Sequence, residues 1–184
     1  MARTVIDSCP IVNAGSAAQS VGPGIGQSFT GDGTELTSCS FLLSYSIIPL
    51  TGTLYATLYE HTGTFGSTGK PTGPVLATSN PVNCSSVNET ESLINFVFEG
   101  VQRIAPVNGT KYIIVVVHIG DASGNHCWAR RTDPVNAHSG NGSYKDTNWI
   151  VLPFSYDFIF YVYTGDAVPV VITIKNKPFK IFYF

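Results

Sequence analysis

Residues 112–118 have the sequence Tyr-Ile-Ile-Val-Val-Val-His, and this run is the strongest indication of fold in the chain. It is apolar on both faces of an extended backbone, so a strand formed from it would be buried on both sides. A strand buried on both sides lies in the interior of a sheet. We therefore predict a central β-strand here.

Two earlier segments alternate between apolar and polar residues, as a half-buried strand does. In the segment 37–45 the odd positions are apolar: Cys39, Phe41, Leu43 and Tyr45. In the segment 53–59 one side carries Leu54, Ala56 and Leu58, and the other carries Thr53, Tyr55, Thr57 and Tyr59. Each segment is predicted to pack one face in a core, and the second presents an aromatic, hydroxyl-rich surface.

Similar segments recur along the chain, and none has the apolar spacing of an amphipathic helix of three turns. Further strands are predicted at 92–98, 157–163, 170–174, 26–30, 75–78 and 127–131. Eight or nine short strands separated by turn-forming residues predict an all-β fold. Several connections exceed hairpin length and so cross between sheets, which favours a two-sheet antiparallel β-sandwich of the jelly-roll type.

The chain has 184 residues, the length of one domain. We assign residues 1–25 to an N-terminal arm, 26–166 to the sandwich and 167–184 to a C-terminal strand and apolar tail. The long loops 61–74 and 120–148 are where we expect binding. The tail ends in apolar side chains that need cover: Phe179, Ile181, Phe182, Tyr183 and Phe184. They either complete the sandwich core or dock on a neighbouring subunit.

Charge and hydropathy argue against several partners. The net charge is −2 and only 12% of residues are charged, whereas nucleic-acid binding needs a basic patch, so we predict no nucleic-acid partner. The apolar tracts are far shorter than the ~20 residues of a membrane-spanning helix, so we predict no membrane insertion. Residues 1–7 lack the apolar segment of a secretory signal, which predicts either a route without Sec export or prior removal of a leader.

The four cysteines are widely spaced, at positions 9, 39, 84 and 127. No Cys-x-x-Cys pair occurs, which argues against a structural zinc site. Cys39 lies on the apolar side of its predicted strand. For Cys39 a buried free thiol is therefore favoured over a disulfide, although the pairing of the four stays open.

Motifs for catalysis do not occur in the sequence. A phosphate-binding loop fails at Thr64 and Pro71, and Gly22-Pro-Gly-Ile-Gly26 does not have the spacing of a dinucleotide-binding loop. Neither a Gly-x-Ser-x-Gly elbow nor a His-Glu-x-x-His pair is present. Two carboxylates brought together by folding could still serve a glycosidase, but we predict a protein that is not an enzyme and needs no cofactor.

A calcium ion is one structural alternative, because sandwich domains often hold such an ion in a loop of carboxylate and carbonyl oxygens. Asp32 and Glu35 are the best candidates for it, with Asp7 or Asp157 joining across the fold. The competing interpretation is that Asp32 only forms a turn.

Two groups of side chains combine the flat aromatic faces and polar groups that carbohydrate binding needs. The first contains His126, Trp128 and Arg130, with Trp149 following; the second is the face that carries Tyr55 and Tyr59. The alternative is that these aromatic side chains simply pack against their neighbours.

Five segments together resemble jelly-roll domains found in bacteriophage virion proteins and in bacterial surface or carbohydrate-binding modules. They are Gly26–Phe29, Leu36–Leu43, Gly52–Tyr59, Pro74–Ser79 and Val107–Val115. The resemblance implies a virion structural protein, a capsid decoration or tail-associated subunit that assembles with other virion subunits or itself in the host cytoplasm. It also implies an alternative: an extracellular carbohydrate-binding module or host-recognition lectin that binds glycans.

Overall fold

The structure is a computed structural model, and it describes residues 3–10, 14–45, 51–120, 127–132, 138–153 and 156–165. These residues form thirteen strands: β1 (Thr4–Cys9), β2 (Ala14–Ser20), β3 (Ile25–Thr30), β4 (Leu36–Tyr45), β5 (Thr53–Thr62), β6 (Lys70–Thr78), β7 (Val82–Asn83), β8 (Ser92–Val97), β9 (Lys111–Ile119), β10 (Cys127–Thr132), β11 (Gly142–Lys145), β12 (Trp149–Val151) and β13 (Phe160–Thr164). Two short 3-10 turns, Cys84–Ser86 and Gly100–Gln102, interrupt them. No helix in this described part is long and apolar enough to cross a membrane.

The strands form two antiparallel sheets in a sandwich-like all-β architecture, as predicted at that level. Sheet A has the order β1-β13-β4-β10-β2, with β8 also paired to β4. Sheet B has the order β12-β11-β3-β9-β5-β6, with β7 also paired to β5. The chain crosses repeatedly from one sheet to the other, which agrees with connections too long for hairpins.

The predicted central strand is confirmed. β9 lies between β3 and β5, and Val115 pairs with Gly26 on one side and with Thr57 on the other. The even side chains of β9, such as Ile114, pack in the core between the sheets. Val115, on the opposite face, is also buried at 1% exposure, so both faces of the strand are covered.

The alternation in β4 is confirmed as well. Cys39, Phe41 and Leu43 are fully buried and face the core, where the rings of Phe41 and Phe160 lie 6.2 Å apart. β4 pairs with β8 along one edge and with β13 and then β10 along the other. This long strand therefore organises sheet A as β9 organises sheet B.

The structure differs from the sequence prediction at the ends and in the number of strands. Residues 4–9 and 14–20, assigned to an N-terminal arm, form β1 and β2 of sheet A. β2 consists of Ala, Gly, Ser and Gln, so it has no apolar alternation to detect, and its pairing with β10 decides its structure. The strand predicted at 157–163 begins only at Phe160. The predicted strand at 170–174 and the apolar tail lie outside the described residues.

Sheet B curls into a half-barrel, and the curl encloses the face that points away from sheet A. β6 comes within 8 Å, Cα to Cα, of β9, β3 and β12, although other strands separate β6 from them in the hydrogen-bonding order. Ile113 and Ser143 on that face are completely buried, yet Ile113 lies apart from the core cluster between the sheets. We call this surface the concave face. It consists of the side chains of residues 24, 26, 28, 30, 55, 57, 59, 61, 111, 113, 115, 117, 143, 145, 149 and 151.

Candidate functional site

The open end of the concave face carries a tryptophan that covers a glycine. A Cβ atom on Gly24 would lie 3.3 Å from Cη2 of Trp149 and 3.5 Å from Cγ1 of Val115 and of Val117. Even a methyl group at position 24 would be tight against the indole, and a larger side chain would push the indole away from the sheet. Because Gly24 has none, Trp149 lies against the strands with part of its surface exposed to solvent.

Tyr55 lies across the concave face from this tryptophan. Its register partner on β9 is Val117, and Val117 in turn contacts the Cβ position of Gly24, over which Trp149 lies. Two strand spacings of ~4.8 Å separate β5 from β3, so the backbone positions of Tyr55 and Gly24 are about 10 Å apart. Tyr55 and Trp149 thus flank Val117, and we call the surface between these two aromatic side chains the groove.

Tyr59 lies on the same face, opposite Ile113 and four residues along β5 from Tyr55. The structure thus brings together three of the predicted carbohydrate-binding residues: Tyr55, Tyr59 and Trp149. The grouping of Trp149 with Trp128 was wrong, because β12 belongs to sheet B and β10 to sheet A.

Trp128 and Arg130 occupy the outer face of sheet A. Trp128 is opposite Ser44 on one neighbouring strand and Ser20 on the other. Arg130 forms an ion pair with Glu91. His126 lies outside the described residues. The segment that looked most like a sugar-binding surface in the sequence is therefore separated by the whole sandwich from the tyrosine face.

The other end of the concave face is closed by the turn between β5 and β6. The side chain of Asn141 donates to the carbonyl of Gly69 at 2.8 Å and accepts from the Gly69 N–H at 3.2 Å. The Asn141 N–H also donates to Oγ of Ser28 at 2.6 Å. Asn141 and Gly69 are both buried, so this amide fastens the start of β6 to the strand on the far side of the curl.

Aromatic and basic side chains pack beneath that turn. The ring of Phe65 lies 5.8 Å from the His61 ring and 6.5 Å from the His138 ring, and Nζ of Lys111 lies 4.4 Å from its centroid. Lys111 also donates to Oγ1 of Thr30 at 2.6 Å. Burial and the nearby Lys111 lower the pKa of His61, which keeps this imidazole neutral. The arrangement holds the turn in place.

A second polar cluster joins the two sheets and consists of residue types common in catalysis. Asp157 is completely buried and accepts from Nε2 of Gln27 at 2.6 Å and from the N–H of His138 at 2.7 Å. Nε2 of His138 is 2.8 Å from Asp7, whose other oxygen accepts from the N–H of Thr30 at 3.1 Å.

The two carboxylates of this cluster have opposite pKa shifts. Burial raises the pKa of Asp157 to about 6, despite the opposing hydrogen bond from Gln27. Burial acts in the same direction on Asp7, but the interaction with His138 and the N–H groups of Thr30 and Ser8 outweigh it and hold the pKa of Asp7 below 3.8.

The histidine ring of this cluster already has hydrogen-bond partners within the protein. Nδ1 of His138 accepts from the N–H of Gly140 at 2.9 Å, so Nε2 carries the proton that is donated to Asp7. Both ring nitrogens are therefore occupied, and neither can exchange a proton with a ligand, as a general base must. We interpret the cluster as a structural link between β1, β3 and the segment that precedes β13.

The predicted calcium ligands have other partners. Oδ1 of Asp32 accepts from the N–H and the hydroxyl of Thr34, at 2.8 and 2.5 Å, which is the turn interpretation of Asp32. Glu35 faces Arg103 at 3.9 Å. Asp7 and Asp157 belong to the His138 cluster instead. Across the described ranges, no group of three or more His, Cys, Asp or Glu side chains could hold a metal ion.

All four cysteines are buried free thiols in the structure, as expected for Cys39. Burial raises the pKa of Cys39, of Cys84 and of Cys127, the last to about 12. A thiol with a raised pKa is a poor nucleophile, because the reactive species is the thiolate.

One signal for the groove is present in the sequence. In Gly22-Pro-Gly-Ile-Gly26, Gly24 and Gly26 are two residues apart and so point to the same side of an extended chain. Glycines at that spacing indicate a close approach of other groups to a strand. No comparable signal exists for the Asp7–His138–Asp157 cluster, whose members are up to 150 positions apart (157 − 7).

No family model, no curated protein and no solved structure matches the chain.

Proposed function

We propose that this chain is a non-enzymatic glycan-binding β-sandwich of the jelly-roll type, and that the open end of the concave face binds the sugar. One observation carries the proposal: Trp149, which lies over Gly24, and Tyr55 flank Val117 on the same face. Both aromatic side chains are partly exposed rather than buried in a core.

The dimensions of the groove suit one flat ring. Atoms in van der Waals contact are ~3.5–4.0 Å apart, so a group that touches an aromatic side chain on each side needs about 7–8 Å. The backbone positions of Tyr55 and Gly24, which are about 10 Å apart, set the scale of the groove. The negative faces of Trp149 and Tyr55 attract the weakly positive C–H groups of a sugar ring, while Thr53 on the same strand face carries a partly exposed hydroxyl group.

The test compares the two tryptophans of the chain, because each lies on a different sheet. We expect the wild-type protein to bind at least one oligosaccharide on a glycan array. Trp149→Ala should weaken that binding at least 10-fold, since loss of a central aromatic contact costs about 2 kcal/mol. Trp128→Ala should stay within about twofold of wild type.

A further variant tests the groove without removing an aromatic ring. Gly24→Val places a branched side chain under the indole and should weaken binding as strongly as Trp149→Ala, with far-UV circular dichroism reporting that the sandwich is retained. Equal loss of binding in Trp128→Ala and Trp149→Ala, or no binding across the array, would contradict the proposal.

A second function, assembly in a virion, is favoured by the edges of sheet B. Both edge strands expose an apolar side chain: Val75 of β6 at 46% and Ile150 of β12 at 40%. Exposed apolar edges are sites where another chain can add. We propose that the sandwich is displayed on a capsid or tail through such contacts with other subunits, and that glycan binding serves recognition of the host.

Particle incorporation tests this second function. We expect the protein to co-purify with particles, and Val75→Lys combined with Ile150→Lys to reduce incorporation at least fivefold while the binding of sugar is retained. Thr72→Lys, a change of the same charge at an exposed position of β6, is the control. Absence of the wild-type protein from particles would exclude the virion role and leave the sugar site untouched.

A further inference from the structure

The groove contains a lysine in addition to its two aromatic side chains. The N–H of Lys145 on β11 donates to the carbonyl of Gly24 at 2.8 Å, and Trp149 on β12 is the register partner of Lys145. Lys145 therefore lies between Gly24 and Trp149 in the hydrogen-bonding order of sheet B. Oγ of Ser143, two residues earlier on β11, is 3.0 Å from the Cβ position of Gly26 on the concave face, so Lys145 belongs to this face as well.

The position of the Trp149 indole brings this lysine close to the surface proposed to bind sugar. Because Cη2 of Trp149 reaches the Cβ position of Gly24, the indole crosses β11 at the level of Lys145. Side chains directly opposite each other on antiparallel strands start about 4.5–5.5 Å apart at Cβ. The aliphatic part of Lys145 can pack beside the indole while its ammonium group stays in water. Lys145 is exposed, so a ligand can reach the ammonium group.

The charged side chains of the concave face all have the same sign. Its sixteen positions include Lys111 and Lys145, and neither aspartate nor glutamate occurs among them. Lys111 lies at the closed end, where the Phe65 ring and the hydroxyl of Thr30 are its partners. Lys145 lies at the open end and forms no ion pair with any residue that the structure describes. Its neighbour Asp146 lies beyond the end of β11, in the turn to β12.

We infer that the groove binds acidic glycans, and that Lys145 selects a sugar ring that carries a carboxylate or a sulfate group. This inference rests on the proposed function, because it assigns a class of sugar to the same site. Trp149 and Tyr55 contact the C–H groups of the ring, and the ammonium group of Lys145 donates to an anionic oxygen. Lysine is a compact point charge without the planar fork of arginine, so it accepts either anion.

The exposure of Lys145 sets the size of the expected selectivity. A hydrogen bond to a charged group is stronger than a neutral one, but water and salt weaken an exposed ion pair. We therefore expect an acidic oligosaccharide to bind about three- to tenfold more tightly than its neutral counterpart at about 50 mM salt. The difference should fall below about twofold near 1 M salt, where the Debye length is about 3 Å.

The test is a glycan array that carries each acidic oligosaccharide beside a counterpart of equal length without the charge. Oligogalacturonates are paired with their methyl esters, and sulfated galactosides are paired with unsulfated ones. We expect the wild-type protein to prefer the acidic member in at least one of these two sets. A preference confined to one set identifies the anionic group as a carboxylate or as a sulfate.

Three lysine variants show whether Lys145 is the source of the preference. Lys145→Met should bring the two members of each pair within about twofold of each other, while the neutral member still binds, because Trp149 and Tyr55 are unchanged. Lys145→Arg keeps the charge and should keep the preference. Lys70→Met is the matched control, because Lys70 is also exposed on sheet B but lies opposite Thr62, away from the concave face.

The array separates failure of this inference from failure of the proposed function. Equal binding of the acidic and neutral members by the wild-type protein would overturn the inference and leave the sugar site in place. An unchanged preference in Lys145→Met would do the same. Absence of binding to every sugar, acidic or neutral, would contradict the proposed function and the inference with it.

Discussion

Asn141→Ala should lower the free energy of unfolding by about 2–4 kcal/mol, because it leaves the N–H and the carbonyl of Gly69 without partners and each such buried group costs about 1–3 kcal/mol. Both groups are buried and are bonded by the one amide. For a chain of this length the loss corresponds to a fall in Tm of roughly 5–15 °C. Thermal unfolding followed by circular dichroism measures it.

The control for this variant is Asn108→Ala. Asn108 and Asn141 occur in closely similar sequences, Asn-Gly-Thr and Asn-Gly-Ser, but Asn108 lies exposed in a turn whereas Asn141 is 1% exposed. We expect Asn108→Ala to change stability by no more than about 0.5 kcal/mol. Similar melting temperatures for the two variants would show that the amide does not fasten the curl of sheet B.

The second large effect depends on pH and concerns Asp157. We expect the stability advantage of the wild-type protein over Asp157→Asn to shrink by about 2–3 kcal/mol between about pH 3.5 and about pH 7.5. Burial raises the pKa of Asp157 from 3.8 to about 6, so between these values the folded state holds a proton that the unfolded state has released. The contribution of Asp157 to the free energy of unfolding is therefore fully present below pH 3.8 and is lost as the pH rises through about 6.

The expected change in the stability difference follows from the pKa shift of Asp157, because roughly two pH units at about 1.4 kcal/mol each give about 2–3 kcal/mol. Asparagine does not titrate, and its amide would face the N–H of His138 or Nε2 of Gln27, both of which are donors. Urea unfolding of both proteins across the pH series gives the difference directly. Asp7 is present in both proteins, so its titration contributes to both stability curves. A difference that is constant with pH, or that grows as the pH rises, would contradict the assignment.

The two strands with the clearest patterns could be predicted from sequence for a simple physical reason. In 112–118 and 37–45 the polarity of each side chain indicates whether its face of the strand is buried. Burial can therefore be predicted there from a few neighbouring residues. β2 could not be predicted in this way, because Ala, Gly and Ser carry too little apolar surface to show a period. Its place depends on β10, more than 100 residues later, which supplies the hydrogen bonds.

The candidate site likewise contains some residues that could be predicted from the sequence and others that could not. Tyr55 and Tyr59 follow from local alternation, and their common face was predicted from the sequence. Assigning Trp149 to that face and Trp128 to the opposite sheet required knowledge of which sheets β12 and β10 join. The long loops were expected to bind, but the 63–69 turn packs on the concave face through Gly69 and Asn141.

What the sequence by itself determined is the class of the fold, the central position of β9 and the core face of β4, since side-chain alternation acts over a few residues. Tertiary structure alone decided the curl of sheet B, the groove between Tyr55 and Trp149, and the buried Asp7–His138–Asp157 cluster. Each of these features depends on residues that are distant in sequence and come into contact only after the two sheets have paired and packed. No pattern within a short stretch of sequence predicts such contacts.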